Sequence, residues 1–596
     1  MNKYKSRKDV PDKYKWNLTD IFKDEKEFEK SYKEVESDIK RIKDYIGCTK
    51  DSKRLLEFLR TSIEFDIRLE NLLLYAFLKS DEELGVKENL ERSNKVELLC
   101  STYSGYTSFF KPELLSLSKE EYSKLFNNKD LNEFRFMLDD MYKDKEHSLN
   151  ENEEKIVIDL MTAVGDMEEI SSSMVNSEHD YGTVNIDGDE TVITSTNTRK
   201  LLKNKDSKIR KEVYDKVKGM RSRYAGTSAS LLNSYVKTNN ALSKIHKFNS
   251  AWESKLHDYN MPEEAYNTLI KVVENNIDKY QKYFKMFKEE LGLKELQQYD
   301  LNLDITSSNK KYTIEEGQDL IREALKPLGE DYIKHFNKII DNRYIDYCEY
   351  KGKQSGGYSA GSIDHDSRIL LSFNEDLDSV SVVAHECGHN VHGQFVKENN
   401  PPQYRNITRL VCEVASLTNE CLLSSYLANN GKTKEEKLAG IDNILGVILG
   451  NLFGSVREGI MEKELYKYSL GGNALTKEYL NETNLNLLKK FYGDTVIFNE
   501  FSGSGWIGIY HFFANFYFFD YAFCISAACA NAKRILSGDK NALDRYINFL
   551  KIGSDKYPYD AFKELGFDLT DAKVYEDAIK YFDSLLDKYK EISKGE

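Results

Sequence analysis

His385-Glu386-Cys387-Gly388-His389 sets two imidazoles four residues apart, with a carboxylate beside the first. On a helix, positions i and i+4 share a face, so both rings can reach one ion while Glu386 projects next to them. Neutral imidazoles suit zinc, which keeps one position open for water in catalytic sites. A carboxylate beside that position can take a proton from the water, which is the chemistry of metal-assisted hydrolysis. With 10 histidines in 596 residues, chance alone produces the pattern about 0.015 times in such a chain. The surroundings therefore matter.

A zinc ion needs a third protein donor, and Glu398, Glu413 and Glu420 follow downstream. Glu398 comes directly before Asn399-Asn400-Pro401-Pro402, where the chain must turn, which disfavours it. Glu413 lies 24 residues past His389 inside LVCEVASLTNECLLSSYL, a largely apolar helical run. A carboxylate on a buried face needs a partner, and a metal is one. Glu420, two turns further on that face, either orients a ligand imidazole by a hydrogen bond or serves in an ion pair or cap. His392, seven residues after His385, is equally a support for a ligand or a core histidine. Gly388 costs its helix about 1 kcal/mol relative to Ala, a cost that close approach by the Glu413 helix would explain. Cys387 faces away from the metal side and reads as core.

The elements that position this helix are legible nearby. Asp378 is a plausible N-cap before the apolar entry SVSVVA. Upstream, RYIDYCEY, the Gly-rich turn Ser355–Ser362 and the strand-like RILLSF (Arg368–Phe373) predict a small β region. Elsewhere helical periodicity dominates: Phe28, Tyr32, Val35, Ile39 and Ile42 trace one amphipathic face, and similar patterns fill most of the first 180 residues. Tyr181–Thr194 breaks the pattern with two β-prone runs around Asp187-Gly188, a hairpin signal. Near the C-terminus, WIGIYHFFANFYFFDYAFC offers His511, Tyr517 and Tyr521 as hydrogen-bond donors, although spacing alone favours aromatic packing for the tyrosines. SGSGWIG (Ser502–Gly508) before it reads as a flexible loop. No GK[ST] follows either Gly-rich stretch, which argues against a phosphate cradle.

Composition narrows the function classes. Forty per cent apolar residues can build a large core, and seven prolines leave long stretches open to helix. A net charge of −14 argues against a nucleic-acid binder. Arg199–Arg223 holds eleven Lys/Arg against three acids, but Ile209, Val213 and Val217 stand four apart, as on a solvated helix. The apolar run Trp506–Ala532 is interrupted by His511, Asn515 and Asp520, so a buried helix is expected there rather than a membrane span. The N-terminus lacks an apolar signal region, and the eight cysteines show no CxxC pair. Reduced thiols and a cytoplasmic location are expected. Nothing in the residues sets an oligomeric state.

Beyond the five-residue motif, GKQSGGYSAGS, RILLSFNEDLDSV, HECGHNVHG, CEVASLTNE and GWIGIYHFFANFYFFDYA stand in one order. In that order and spacing the chain resembles the oligoendopeptidase F branch of the thimet-oligopeptidase-like zinc peptidases. Weaker resemblance, through YKWNLTDIF, DYGTVNIDG, LLKNKDSKIRKEVY and YTIEEGQDLIREALKPLG, extends it over nearly the whole chain. The resemblance implies one zinc held by His385, His389 and Glu413, with Glu386 as general base. It implies that His511 and Tyr517 bind substrate and steady the transition state. It further implies a mainly α, two-lobed helical shell around a deep channel, with a small β-sheet next to the HExxH helix. Residues 1–195 would form an N-terminal helical lobe ending in the hairpin, and 196–596 the metallopeptidase domain. The sheet near Arg368–Phe373 would offer an edge strand to a peptide, with Tyr358, Leu370, Ser372 and Tyr521 as substrate-binding positions. The chain departs from the family at Phe519 and Asp520, where a Tyr and a Gln are usual, and at Cys387, where Leu or Phe is commoner. The expected activity is internal cleavage of short peptides. A dipeptidyl carboxypeptidase-type exopeptidase and a non-catalytic peptide-binding protein are the alternatives.

Overall fold

The structure, a computed structural model, describes residues 4–164, 167–195, 197–306 and 310–595. It is mainly α-helical with two small sheets, as expected. The helices that bear on function are α1 (Ser52–Glu82), α2 (Ser207–Arg223), α3 (Ala225–Ile245), α4 (Leu377–Asn399), α5 (Arg409–Asn430), α6 (Ser455–Leu470), α7 (Lys477–Tyr492) and α8 (Phe518–Leu536). The chain divides into two compact units. One comprises Met1–Glu151, Lys310–Tyr426 and Asn531–Gly566; the other comprises Asn152–Asn309, Leu427–Ala530 and Phe567–Glu596. These units cut across the boundary expected after Ser195, where Thr196 lies outside the described residues.

In the first unit the amphipathic N-terminal helices build a core from Phe28, Val35, Leu55, Phe58, Phe65, Leu69 and Leu72, and Leu370 joins that core. This packing draws the N-terminal residues into the unit that carries HExxH. The small sheet holds β3 (Ile345–Asp346), β4 (Tyr358–Ala360) and β5 (Arg368–Leu370) in the order β3-β5-β4. Strand β5 runs parallel to β3 and antiparallel to β4, with Tyr358 opposite Leu370. The strand expected over Arg368–Phe373 is thus central and shorter, and the Gly-rich turn itself supplies an edge strand.

Buried charge pins the sheet. Arg368 has no exposed surface; it donates to the Asn17 and Asp366 carbonyls at 2.8 and 2.7 Å and pairs with the Asp20 carboxylate. Lys353 Nζ donates to the Asp346, Cys348 and Leu371 carbonyls and meets Asp346 Oδ1 at 2.7 Å. Charges buried this deeply need such complete pairing.

In the second unit β1 (Thr183–Ile186) and β2 (Asp189–Val192) form the expected hairpin. Asp187 and Gly188 take φ of +53° and +97°, as a tight two-residue hairpin turn demands. Helix α2 buries Val213 and Val217 and points most of its charge outward, except Arg210, which is buried against Asp300 at 2.6 Å. The apolar stretch Trp506–Ala532 is broken into 3-10 turns before α8 begins. Among the described residues, only the helical stretch Lys434–Leu470 is long and apolar enough to cross a membrane.

Candidate active site

Helix α4 starts from Asp376, whose carboxylate accepts the Ser379 N–H at 2.8 Å. The cap is therefore two residues before the expected Asp378, which lies in the first turn. The chain is still extended at Asp376, and only there is its side chain placed to accept from the third helical residue. Val380, Val383, Ala384, Cys387 and Val391 fix the buried side of α4. Its fit to α5 is close: a Cβ on Gly388 would sit 2.6 Å from Ser416 Cα and 2.8 Å from the Ala415 carbonyl oxygen. Glycine here is required by the approach of the Glu413 helix.

That approach brings three donors together. His385 Nε2 and His389 Nε2 lie 3.2 Å apart, and Glu413 Oε2 is 3.4 and 3.6 Å from them. Donors held at zinc-ligand distances around a tetrahedral centre are spaced about 3.3 Å from one another. The set fits a zinc-sized cation in both spacing and donor type. Glu420 Oε1 meets His385 Nδ1 at 2.6 Å, leaving Nε2 to face the cluster, and Ser381 donates to Glu420 Oε2 at 3.1 Å. Ser416 donates to Glu413 Oε2 at 3.1 Å. Burial alone would lower His385, but Glu413 and Glu420 together hold it well above the usual imidazole range. Burial brings His389 down to about 4. Two carboxylates converging on imidazole nitrogens form a site with excess negative charge, suited to a cation. Glu386 is buried beside them, and burial pushes its carboxyl up to about 7, with Glu413 and Glu420 adding to the rise.

Two neighbours with functional contacts, Ser381 and Ser416, escaped the sequence reading. Each lies one helical turn from the residue it serves or from that residue's partner, a spacing that could have found them.

His392 does not support a ligand. It is buried with its ring 5.8 Å from Phe549, and neither ring nitrogen has a hydrogen-bond partner among the described residues. Burial holds it neutral, near 3. Glu398 lies 3.1 Å from His335, away from the cluster. Leu370 is a packing position and not a substrate contact: its side chain is wholly buried and its strand is paired on both sides. Tyr358 donates its hydroxyl to Asp81 at 2.6 Å, and Ser372 lies half-buried beyond β5. Just before Tyr358, a Cβ on Gly357 would come within 3.6 Å of Glu386 Oε1, so the edge strand passes the buried carboxyl closely.

The second unit gathers the aromatic residues. His511 stacks on Tyr517 with ring centres 5.4 Å apart, and Tyr521 Oη lies 3.5 Å from His511 Nε2. Tyr510, not foreseen, is largely exposed and stacks on His511 at 4.1 Å. SGSGWIG is not a flexible loop. Ser502, Gly503, Ser504 and Trp506 are buried; Asn484 Nδ2 donates to the Gly503 carbonyl at 2.9 Å, and Trp506 Nε1 donates to Asn481 at 2.8 Å. A Cβ on Gly503 would lie 2.9 Å from the Asn481 carbonyl oxygen. These glycines permit close packing on α7.

Comparison with known proteins decides the family. Residues 200–581 match the model of peptidase family M3, and residues 113–180 match that of oligopeptidase F. The chain belongs to peptidase family M3. It is 31% identical to oligopeptidase PepF of Bacillus subtilis over 99% of its own length and 89% of the relative's. It is equally identical to group B oligopeptidase PepB of Streptococcus agalactiae, over 98% and 97% of the two chains. The crystal structure of oligoendopeptidase-F from Enterococcus faecium superposes with a TM-score of 0.75 at 25% identity, covering 96% of this chain and 99% of the other. The chain is accordingly a peptidase of the M3 family, and His385, His389 and Glu413 form its candidate metal site. Replacing Glu420 with Ala in this M3 peptidase should weaken metal binding about 10- to 100-fold, measured by competition with a chromophoric chelator. Unchanged affinity would mean that packing alone orients His385.

Proposed function

We propose that the protein is a zinc endopeptidase that cleaves internal bonds of short peptides. The convergence of His385, His389 and Glu413 beside the buried carboxyl of Glu386 carries this reading. When bound by those three residues, zinc supplies Lewis acidity that makes water nucleophilic near neutral pH and polarises the peptide carbonyl. Glu386 takes the proton from the attacking water and returns it to the amine that leaves. Its dry surroundings favour a carboxyl that is both a fair base and a fair acid near neutrality. Family resemblance supports roles for Tyr517 and His511 in donating hydrogen bonds to the oxygen that gains negative charge, and for Tyr521 in holding the substrate backbone. The peptide pairs along the outer edge of β4, at Tyr358–Ala360, with Ser372 at the end of that track. Backbone pairing holds many sequences in one register with little demand on side chains. Family resemblance supports a restriction to short peptides and, together with the lack of disulfides among the described cysteines, a reducing cytoplasmic setting.

The test is digestion of a defined mixture of short peptides plus one unfolded intact protein, read by mass spectrometry with and without a zinc chelator. Internal cuts in the peptides that vanish with chelator and return with zinc are expected, with the protein left whole. Serial loss from C-termini would establish the exopeptidase alternative, and chelator-resistant cleavage would place the chemistry elsewhere. No cleavage by zinc-loaded protein would leave a peptide binder.

A further inference from the structure

Between His511 and Tyr517 the backbone makes an unusual turn. Phe516 takes φ of +59°, a left-handed conformation that bulky residues rarely adopt. Such a residue persists only where its surroundings over-determine it. Here the hydrogen-bonding neighbours come from α3 and α6. Tyr235 donates its hydroxyl to the Phe513 carbonyl at 2.6 Å, and Tyr466 donates to Asn515 Oδ1 at 2.7 Å. Asn515 Nδ2 in turn donates to Asn239 Oδ1 at 3.0 Å. The Phe516 ring is wedged between Trp252 and Tyr466, at 4.9 and 4.6 Å.

One contact addresses the strained residue itself. The Phe516 N–H donates to Glu462 Oε1 at 2.7 Å, wholly within the interior. Glu462 is 1% exposed, and its second oxygen has no hydrogen-bond partner among the described residues. Burial pushes its carboxyl up to about 8, against a lowering by the Phe516 N–H and by Lys255. Burying a carboxyl is costly unless it is hydrogen-bonded, and among the described residues the hydrogen bond of Glu462 goes to the N–H of the strained residue. An aliphatic residue would fill the space more cheaply.

We infer that Glu462 is a positioning residue: by holding the Phe516 N–H it sets the left-handed turn that aims Tyr517, and the His511 stacked on it, at the substrate. The inference deepens the proposed role of Tyr517 and rests on it. Without the carboxylate, Phe516 keeps a buried donor with no acceptor, and its φ relaxes toward negative values. Tyr517 and His511 then lose their shared orientation, while the metal donors are untouched.

The test compares Glu462→Ala, Glu462→Gln and Tyr517→Phe, singly and with Glu462→Ala combined with Tyr517→Phe. In the zinc-loaded full-length enzyme, Glu462→Ala should lower kcat about 10- to 100-fold, the scale of a misplaced catalytic group. KM and zinc content should stay near wild type. Glu462→Gln keeps an amide oxygen where Oε1 stands and should restore most of the rate, which a role through the carboxylate's charge would not predict. Hydrogen exchange across residues 511–521 should rise in Glu462→Ala and return in Glu462→Gln. On the Tyr517→Phe background, Glu462→Ala should cost little more, because its route to the reaction is already gone. An equal loss on both backgrounds, or exchange unchanged in Glu462→Ala, overturns the inference. If Tyr517→Phe alone retains wild-type kcat, the proposed role of Tyr517 has failed, and the exchange data report separately whether Glu462 holds the turn.

Discussion

Replacing Glu386 with Gln should lower kcat by about 10²–10⁴-fold, the contribution of a positioned general base, while metal content stays at the wild-type level. The two side chains have the same shape, but the amide cannot accept a proton from water or pass one to an amine. His385, His389 and Glu413 converge through their own atoms, 3.2 to 3.6 Å apart, and none of these contacts uses Glu386. The substitution therefore removes a proton carrier without removing a donor. Steady-state cleavage of a quenched fluorescent peptide gives the rate, and elemental analysis of the dialysed protein gives the metal. A variant that cleaves like wild type would mean that another group moves the proton. One that loses both rate and metal would give Glu386 a part in holding the ion.

The second large effect comes from a residue with no side chain. Gly388→Ala places a methyl group 2.6 to 2.8 Å from backbone atoms of Ala415 and Ser416, where no flexible side chain can swing aside. Helices α4 and α5 must part by roughly 1 Å to restore ordinary contact, and such a shift at a catalytic group can cost about 10²-fold in rate. Because α4 carries His385 and His389 and α5 carries Glu413, the same displacement spreads the metal donors. We expect kcat/KM to fall about 100-fold with weaker metal binding, and stability to drop by about 1–3 kcal/mol from overpacking. Helix α4 contains its own control. A Cβ on Gly393 would meet only Ser367 Oγ, at 3.8 Å, so Gly393→Ala should keep wild-type activity and gain up to about 1 kcal/mol in helix propensity. Peptide hydrolysis and thermal unfolding of the two variants side by side decide the matter. Similar behaviour of both would show that the interhelix contact yields more easily than its geometry implies.

The local signals were clear where short-range physics governs. The i, i+4 spacing of His385 and His389 put both imidazoles on one face, and a carboxylate in the apolar run around Glu413 called for a partner. Asp187-Gly188 announced its hairpin because few residues tolerate two successive left-handed positions. Even the helix contact was foreshadowed, since a mid-helix glycine invites the question of what comes near it. Short-range pattern misled where a residue's meaning lay in what covers it. SGSGWIG looked flexible because glycine is flexible in isolation; its lack of Cβ atoms instead lets α7 approach. RILLSF looked like an edge, but the Gly-rich turn folds back as β4 and Leu370 is drawn into the N-terminal core. His392 shares helical spacing with the ligands, yet its nitrogens face apolar packing.

The sequence by itself determined the helical class, the HExxH donors, Glu413 as third ligand candidate and the hairpin, because each rests on periodicity or residue chemistry within a few turns. Tertiary structure alone decided that β5 is the central strand of its sheet, that Ser381 and Ser416 brace the carboxylates, and that Glu462 meets Phe516 from 54 residues away. Those depend on contacts between segments far apart in the chain, and residue type constrains such contacts only weakly.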